Sequence, residues 1–148
     1  MERNRDQSIL LSQILVVVFG VLLLALDFFA YRLSYHLLHD PRENVFLTVA
    51  IYVGSAFGWI CLWNLWWLLA NIRRGEVFVN GNVRLMRVVS WCCFAAALVS
   101  AICAVYPLPG IPFIVLAVAE GFMGLIVRIV KNAFEEAVAM KDELDLTV

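Results

Sequence analysis

One acidic residue stands in the middle of a long apolar stretch, and it is the residue of this sequence best suited to chemistry. Glu120 lies in "LAVAEGFMG", nine residues beyond Ile111, which is about 13.5 Å along a helix and near the centre of a bilayer. An ionisable group at that depth is costly when it faces lipid, so we expect Glu120 to face other helices. Without a lysine or arginine at this depth, burial should keep the acid neutral. We therefore expect Glu120 to donate a hydrogen bond to Ser55, Ser100 or a carbonyl of the second helix.

A buried acid of this kind is compatible with two roles. It can be a polar packing contact, or it can exchange protons in a carrier or channel component. Small four-helix multidrug exporters work as dimers with one membrane-embedded glutamate, but their acid lies in the first helix, whereas Glu120 belongs to the fourth apolar stretch. If Glu120 exchanges protons, the protein would be an oligomeric proton-coupled small-molecule carrier or channel component.

Neither the histidines nor the cysteines form a recognisable reactive set. His36 and His39 have the i, i+3 spacing that places two metal ligands on one helical face, but a third ligand is not evident and Asp40 is needed as a helix cap. Cys92 and Cys93 are adjacent, so on a helix their side chains diverge by about 100°. We interpret them as packing residues. We expect no enzyme activity, no metal site and no cofactor.

The composition predicts a membrane protein. The 148 residues are 64% hydrophobic and 16% charged, against roughly 45–50% and 25% in soluble domains. The formal net charge of -1 leaves no large basic face, so we expect no direct contact with nucleic acid.

Four apolar stretches are each long enough for a membrane-spanning helix, which needs about 20 residues. They cover approximately residues 9–30, 45–70, 88–105 and 111–129. We therefore predict an all-α polytopic membrane protein, with four transmembrane helices in one antiparallel bundle. The apolar helical pattern continues past the last stretch, so residues 130–148 are expected to form a cytoplasmic extension of helix 4 and an acidic tail. Acidic residues disfavour a helix C-terminus, so this helix should fray near Lys141.

Local signals mark the ends of the inner helices. Asp40 followed by Pro41 predicts the N-terminus of helix 2. Gly75 predicts its C-terminal stop, and Asn80 or Asn82 could cap helix 3.

Small residues at helical spacing predict close helix packing. Gly54 and Gly58 form a G-x-x-x-G pattern in helix 2, while Ala117 and Gly121 flank the buried acid of helix 4. We expect a close contact between helices 2 and 4, and the same pattern could instead join two copies in a homodimer. Asn64 could add a hydrogen bond between helices.

The Lys and Arg residues are distributed unequally between the two sides of the predicted bundle. The side with both termini and the loop between helices 2 and 3 carries Arg3, Arg5, Arg73, Arg74, Arg84, Arg87, Arg128, Lys131 and Lys141. The other side carries only Arg32 and Arg42. By the positive-inside rule, we expect a multi-pass protein of the bacterial inner membrane with both termini and this loop in the cytoplasm.

The loop between helices 2 and 3 combines charge with one apolar residue. Arg73 and Arg74 are expected to meet anionic membrane lipid. Phe78 interrupts the charged loop, and we expect it to fold back between helices 2 and 3.

Three motifs carry a resemblance to a known family. They are "NIRRGEVF" at residues 71–78, Asn82-Val83 followed by Arg84 and Arg87, and the ending "DLTV". In order and spacing, from helix 2 to the C-terminus, they are similar to the bacterial domain-of-unknown-function family 2975. The resemblance implies a small four-helix membrane protein with no known catalytic residue or ligand. It also implies a gene often found beside that of a small helix-turn-helix regulator, which suggests a signalling pair.

We therefore expect an integral inner-membrane protein that binds or regulates a cytoplasmic partner, such as a helix-turn-helix regulator. The expected contact residues lie in the loop and in the extension of helix 4. They are Arg73, Arg74, Gly75, Glu76, Phe78, Phe134, Leu144 and Leu146. Leu144 and Leu146, with the neighbouring acids, are expected either to dock on a basic surface or to belong to a solvated tail.

Overall fold

Four long α-helices form the protein in the computed structural model, which describes residues 2–38, 40–105 and 110–147. They are α1 (Glu2–Leu37), α2 (Pro41–Arg73), α3 (Asn80–Val105) and α4 (Gly110–Leu146). Each helix is long and apolar enough to cross a membrane. The predicted all-α, four-span architecture is therefore confirmed.

Each helix packs on its neighbour in the sequence. α1 contacts α2, α2 contacts α3, and α3 contacts α4 over the most extensive of these interfaces. Among the described residues, no Cα of α1 or α2 lies within 8 Å of a Cα of α4. The backbone of α3 therefore separates α2 from α4. Phe113 of α4 packs against the buried pair formed by Leu47 of α2 and Cys103 of α3.

The predicted close contact between helices 2 and 4 is wrong. A Cβ placed on Gly58 would lie 3.0 Å from Leu23 Cδ2 of α1, and one on Gly121 would lie 3.9 Å from Ala97 Cβ of α3. A Cβ on Gly54 would meet no atom within 4 Å. Small residues do allow close approach, as expected in lipid, but each approach is to the neighbouring helix in sequence. Ala117, which was paired with Gly121 in that prediction, is half-buried.

The N-terminus of α2 is capped as the sequence predicts. Asp40 has an extended backbone, and its carboxylate accepts a hydrogen bond from the Arg42 backbone N–H at 2.9 Å. Pro41 occupies the first helical position, where a missing N–H costs nothing. The cap fixes the point at which the chain turns from α1 into α2.

The C-terminus of α2 ends at a left-handed glycine. Gly75 has a φ of 84°, and its N–H donates to the Ile72 carbonyl at 3.0 Å. The Glu76 N–H donates to the Asn71 carbonyl at 3.0 Å. These two bonds form a Schellman motif, which satisfies the last carbonyls of the helix and requires a residue that tolerates positive φ. The predicted stop at Gly75 is confirmed.

α4 continues without interruption to Leu146, so the expected fraying near Lys141 is wrong. Residues 133–144 are mostly strong helix formers such as Ala, Glu, Met, Lys and Leu. The unfavourable dipole interaction is only about 0.3–1 kcal/mol per exposed charge, too little to unwind such a sequence. The Thr147 hydroxyl also donates to the Leu144 carbonyl at 2.8 Å and closes the last turn.

The length of α4 exceeds what the membrane needs. Its 37 residues correspond to about 55 Å of helix, whereas the hydrocarbon core of a bilayer is about 30 Å thick. We call residues 130–146 the α4 extension. It belongs to the same helix as the apolar span.

Candidate functional site

Asn82 organises the loop between α2 and α3. Its side chain is fully buried, and its Nδ2 donates to the Glu76 and Val77 carbonyls at 2.7 and 2.8 Å. Its Oδ1 accepts from Asn71 Nδ2 at 2.8 Å. Asn82 therefore joins the end of α2, the loop and the start of α3. It is not the helix cap that the sequence suggested; α3 begins at Asn80.

Phe78 leaves the loop and contacts α4. Its ring centroid lies 5.5 Å from that of Phe134, with the ring planes inclined at 43°. The predicted position of Phe78 between helices 2 and 3 is wrong, because the turn fixed by Gly75 and Asn82 directs the ring towards the α4 extension. The contact brings together two of the residues that we expect to bind a partner. Both rings belong to one surface.

An ion-pair cluster next to this contact joins α3 to the α4 extension. Glu135 Oε1 lies 3.2 Å from Arg87 Nη2, and its Oε2 lies 2.6 Å from Lys131 Nζ. Glu135 and Arg87 are about half exposed, so water and salt screen the attraction between them. The cluster orients the two helices more than it stabilises them.

The remaining residues assigned to partner binding do not converge on one point. Arg73, Arg74, Gly75 and Glu76 are exposed, and no ion pair involves them in the described part of the chain. The other two lie at the far end of α4, where Leu144 is 68% exposed and Leu146 is 87% exposed. The expected docking of this end on a basic surface of the same chain is therefore not formed.

Glu120 faces the helices. Ser100 Oγ of α3 donates a hydrogen bond to Glu120 Oε2 at 2.8 Å. Ser100 is one of the partners expected from depth counting, although the hydroxyl rather than the acid is the donor. Ser55 Oγ, another expected partner, donates to the Tyr52 carbonyl of its own helix at 3.0 Å. Glu120 thus links α3 and α4.

A cavity of about 400 Å³ lies between α2 and α4 and opens beside Glu120. Most of its wall is apolar, and its polar groups are Ser55, Ser100 and Glu120. The four cysteines also line it: Cys61, Cys92, Cys93 and Cys103. That these thiols line one cavity was not visible in the sequence, because they come from two different helices. The cavity exists because α3 holds α2 and α4 apart.

A second acid within an apolar span is the half-buried Asp27 of α1, and sequence reasoning missed it. Asp27 Oδ2 accepts a hydrogen bond from Trp59 Nε1 of α2 at 3.0 Å, and Tyr52 Oη donates to the Asp27 carbonyl at 3.2 Å. Asp27 Oδ1 is buried and has no hydrogen-bond partner among the described residues. The signal was available, since an ionisable residue inside an apolar span is unusual.

Two further predictions concern polar residues. Asn64 Nδ2 donates to the Ile60 carbonyl of its own helix at 2.7 Å. The expected bond to another helix is therefore wrong, because the carbonyl four residues earlier is within reach without a neighbour. His36 is exposed and stacks edge-on with Tyr35. His39 lies outside the described residues.

The comparisons with known proteins identify a family. The sequence model of a family described as "Protein of unknown function (DUF2975)" matches residues 14–148. The match begins within α1, so it extends further than the motifs from helix 2 onward had indicated. No curated protein and no solved structure gives a significant match. Because the match covers nearly the whole chain, the protein belongs to the DUF2975 family.

Proposed function

We propose that this protein is a multi-pass inner-membrane protein that binds and regulates a cytoplasmic protein. The binding surface would combine the α2–α3 loop with the α4 extension; we call it the loop–α4 surface. The contact between Phe78 and Phe134, with centroids 5.5 Å apart, carries this proposal. It fixes a loop and a projecting helix as one rigid surface, which suits recognition of a partner.

The exposed groups of this surface suit a protein. Leu144 and Leu146 are exposed apolar side chains on the part of α4 beyond the span, where lipid would not cover them. Asp142 and Glu143 are exposed beside them. An apolar contact bordered by acids favours a partner with a basic rim. A small helix-turn-helix regulator, the partner suggested by the family resemblance, belongs to a class of proteins that carry a basic DNA-binding face.

Affinity purification of the full chain from native membranes tests this proposal. We expect a stoichiometric cytoplasmic partner with the wild type and at least a tenfold loss with Leu144→Asp. Ala139→Asp is the matched control, since Ala139 is exposed and lies about 140° around the helix from Leu144. Recovery of the protein without a stoichiometric partner, or equal loss with both variants, would contradict the proposal.

Our second candidate is a proton-coupled small-molecule carrier or channel component, acting as a homodimer. The observation that favours it is the position of Glu120 on the wall of a cavity of about 400 Å³, which is within the size range of small-molecule sites. Proton exchange requires a group that can lose and regain its proton, and Glu120 is the acid of this cavity.

Reconstitution of the full chain in liposomes separates the two candidates. A carrier should move protons across the liposome membrane, and Glu120→Gln should abolish the movement while leaving the fold intact, since an amide can still bond to Ser100. Equal proton movement in the wild type and the variant would exclude this second candidate. Neither result depends on a cytoplasmic partner.

A further inference from the structure

A small basic pocket lies between α3 and α4, on the side of the molecule that carries the α2–α3 loop. Its volume is about 80 Å³, and Arg87, Arg128 and Lys131 line it together with Ser90 and Trp91. The Arg128 guanidinium lies 5.9 Å from the centroid of the Trp91 ring, which orients it by a cation–π contact. The pocket therefore presents cations from two helices to one compact anion.

The charges of the pocket are incompletely balanced. Glu135 pairs with Arg87 and Lys131 at 3.2 and 2.6 Å, so one carboxylate faces three cations. No carboxylate pairs with Arg128 within the described ranges. An anion that entered beside Arg128 would meet uncompensated positive charge, and arginine binds phosphate oxygens well.

An apolar groove continues from the basic pocket along α3. It has a volume of about 700 Å³, shares Arg87 and Trp91 with the pocket, and includes Arg84, Val88 and Ala95. Phe57 of α2 and Glu135 of α4 lie at its sides. From Arg84 to Ala95 the groove follows about 16 Å of helix. Its charged groups lie at the loop end, while its apolar groups lie deeper in the span.

The depth of these residues matches the surface of a bilayer. Arg128 is at the end of the predicted span of residues 111–129, and Trp91 has the amphipathic ring that is favoured at headgroup level. A free anion would use the pocket but not the groove. A lipid would use both, because its headgroup is charged and its chains are apolar.

We propose that an anionic phospholipid binds here as a specific ligand. Its phosphate contacts Arg87, Arg128 and Lys131, and one acyl chain lies along Val88 and Ala95. The choice of occupant follows from charge complementarity at one end and apolar character at the other. This inference is independent of the partner bound at the loop–α4 surface.

Native mass spectrometry of the full chain in a neutral detergent tests this site. Dioleoylphosphatidylglycerol should bind more tightly than dioleoylphosphatidylcholine, which has the same chains and no net charge. Arg128→Gln should lower the phosphatidylglycerol affinity roughly fivefold, the effect of one cation near an anionic headgroup. Arg128→Lys, which retains the charge, should keep most of the affinity. Arg32→Gln, an equal charge loss on the side of the molecule away from the pocket, should leave it unchanged.

The other outcomes overturn the proposal. Equal affinity for the two lipids would show that the charge is not recognised. Equal losses with Arg128→Gln and Arg32→Gln would indicate only general surface charge. If inorganic phosphate competed as strongly as the lipid, the pocket would be a free-anion site. Thermal unfolding without lipid, compared among the variants, separates lost binding from lost folding.

Discussion

At the scale of single residues, the buried amide of Asn82 connects the end of α2, the loop and the start of α3. An amide can accept and donate at once, so one side chain satisfies the Asn71 amide and the Glu76 and Val77 carbonyls. An aspartate could accept but could not donate to carbonyls. This explains why asparagine in particular stands at this position in the loop.

Replacing Asn82 by Ala should destabilise the protein by about 1–3 kcal/mol, because buried polar partners would lose their hydrogen bonds. Asn80→Ala is the matched control, since Asn80 is exposed at the start of α3. Thermal unfolding in detergent measures the difference, and amide hydrogen exchange should increase in the loop with the Asn82 variant. Equal behaviour of the two variants would show that the cluster is not structural.

Two serines of similar burial provide a second prediction. Ser100 bonds to Glu120 of another helix, whereas Ser55 bonds within its own helix; their exposures are 6% and 7%. Ser100→Ala should therefore lower the free energy of unfolding by about 1 kcal/mol more than Ser55→Ala does, which is the net contribution of one hydrogen bond. Thermal unfolding of the two variants measures this difference in stability. A larger loss with Ser55→Ala would contradict the assigned contact.

The position of Glu120 along its helix can be counted from the sequence, whereas its bonding partner was only partly predictable. Depth follows from counting residues along a helix, which needs no tertiary information. The partner depends on helix rotation, which selected Ser100 over Ser55. The role of Asn82 was not predictable, because two of its three partners are backbone groups of a loop whose path is set by Gly75. Sequence patterns give residue types but not these directions.

At the scale of elements, glycines decide where the chain turns and where helices approach. Gly75 ends α2 through its φ of 84°, whereas Gly124 allows the close approach of α3 and α4. A Cβ on Gly124 would lie 3.2 Å from Phe94 Cε1 and 3.3 Å from Cys93 Cβ. One glycine is required by backbone conformation and the other by space.

Gly75→Ala should destabilise the protein by about 1–2 kcal/mol, the cost of a left-handed conformation for a residue with a Cβ. The cost is purely conformational, because the added methyl group would meet no atom within 4 Å. Gly81→Ala has the same free space but no positive φ, so it should be neutral or slightly stabilising. Unfolding measurements on both variants test this, and equal losses would refute it.

Gly124→Val should weaken the α3–α4 interface by about 1–3 kcal/mol, because overpacking displaces neighbouring groups. The matched control is Gly54→Val, since a Cβ on Gly54 would meet no atom within 4 Å and would enter the cavity. In thermal unfolding, Gly124→Val should be less stable than Gly54→Val. Tolerance of valine at Gly124 would indicate that the helices are further apart than the structure shows.

At the scale of the whole molecule, the helices form a row in which each contacts its sequence neighbours. The number of helices and most of their limits were predictable, because span length and caps are local properties. The contacts between them were not. Lipid-exposed and buried positions are both apolar in a membrane protein, so hydrophobic periodicity does not identify the packed faces. The expected contact between helices 2 and 4 failed for this reason.

The positive-inside distribution gives a prediction for the whole molecule. A fluorescent protein fused after residue 148 should fluoresce, and a phosphatase fused there should be inactive, because both termini should lie in the cytoplasm.

Replacing both Arg73 and Arg74 by Glu should weaken or invert the local orientation. Their replacement by Lys is the control that retains the charge. An active phosphatase fusion in the wild type would contradict the orientation.

The continuity of α4 has a mechanical consequence. Because the span and the extension form one helix without a hinge, the extension acts as a lever arm for the span. A change of tilt of about 10° would move the end of a projection of roughly 25 Å by about 4 Å. Helix tilt responds to bilayer thickness. The thickness of the membrane would then set the position at which Leu144 is presented to a partner.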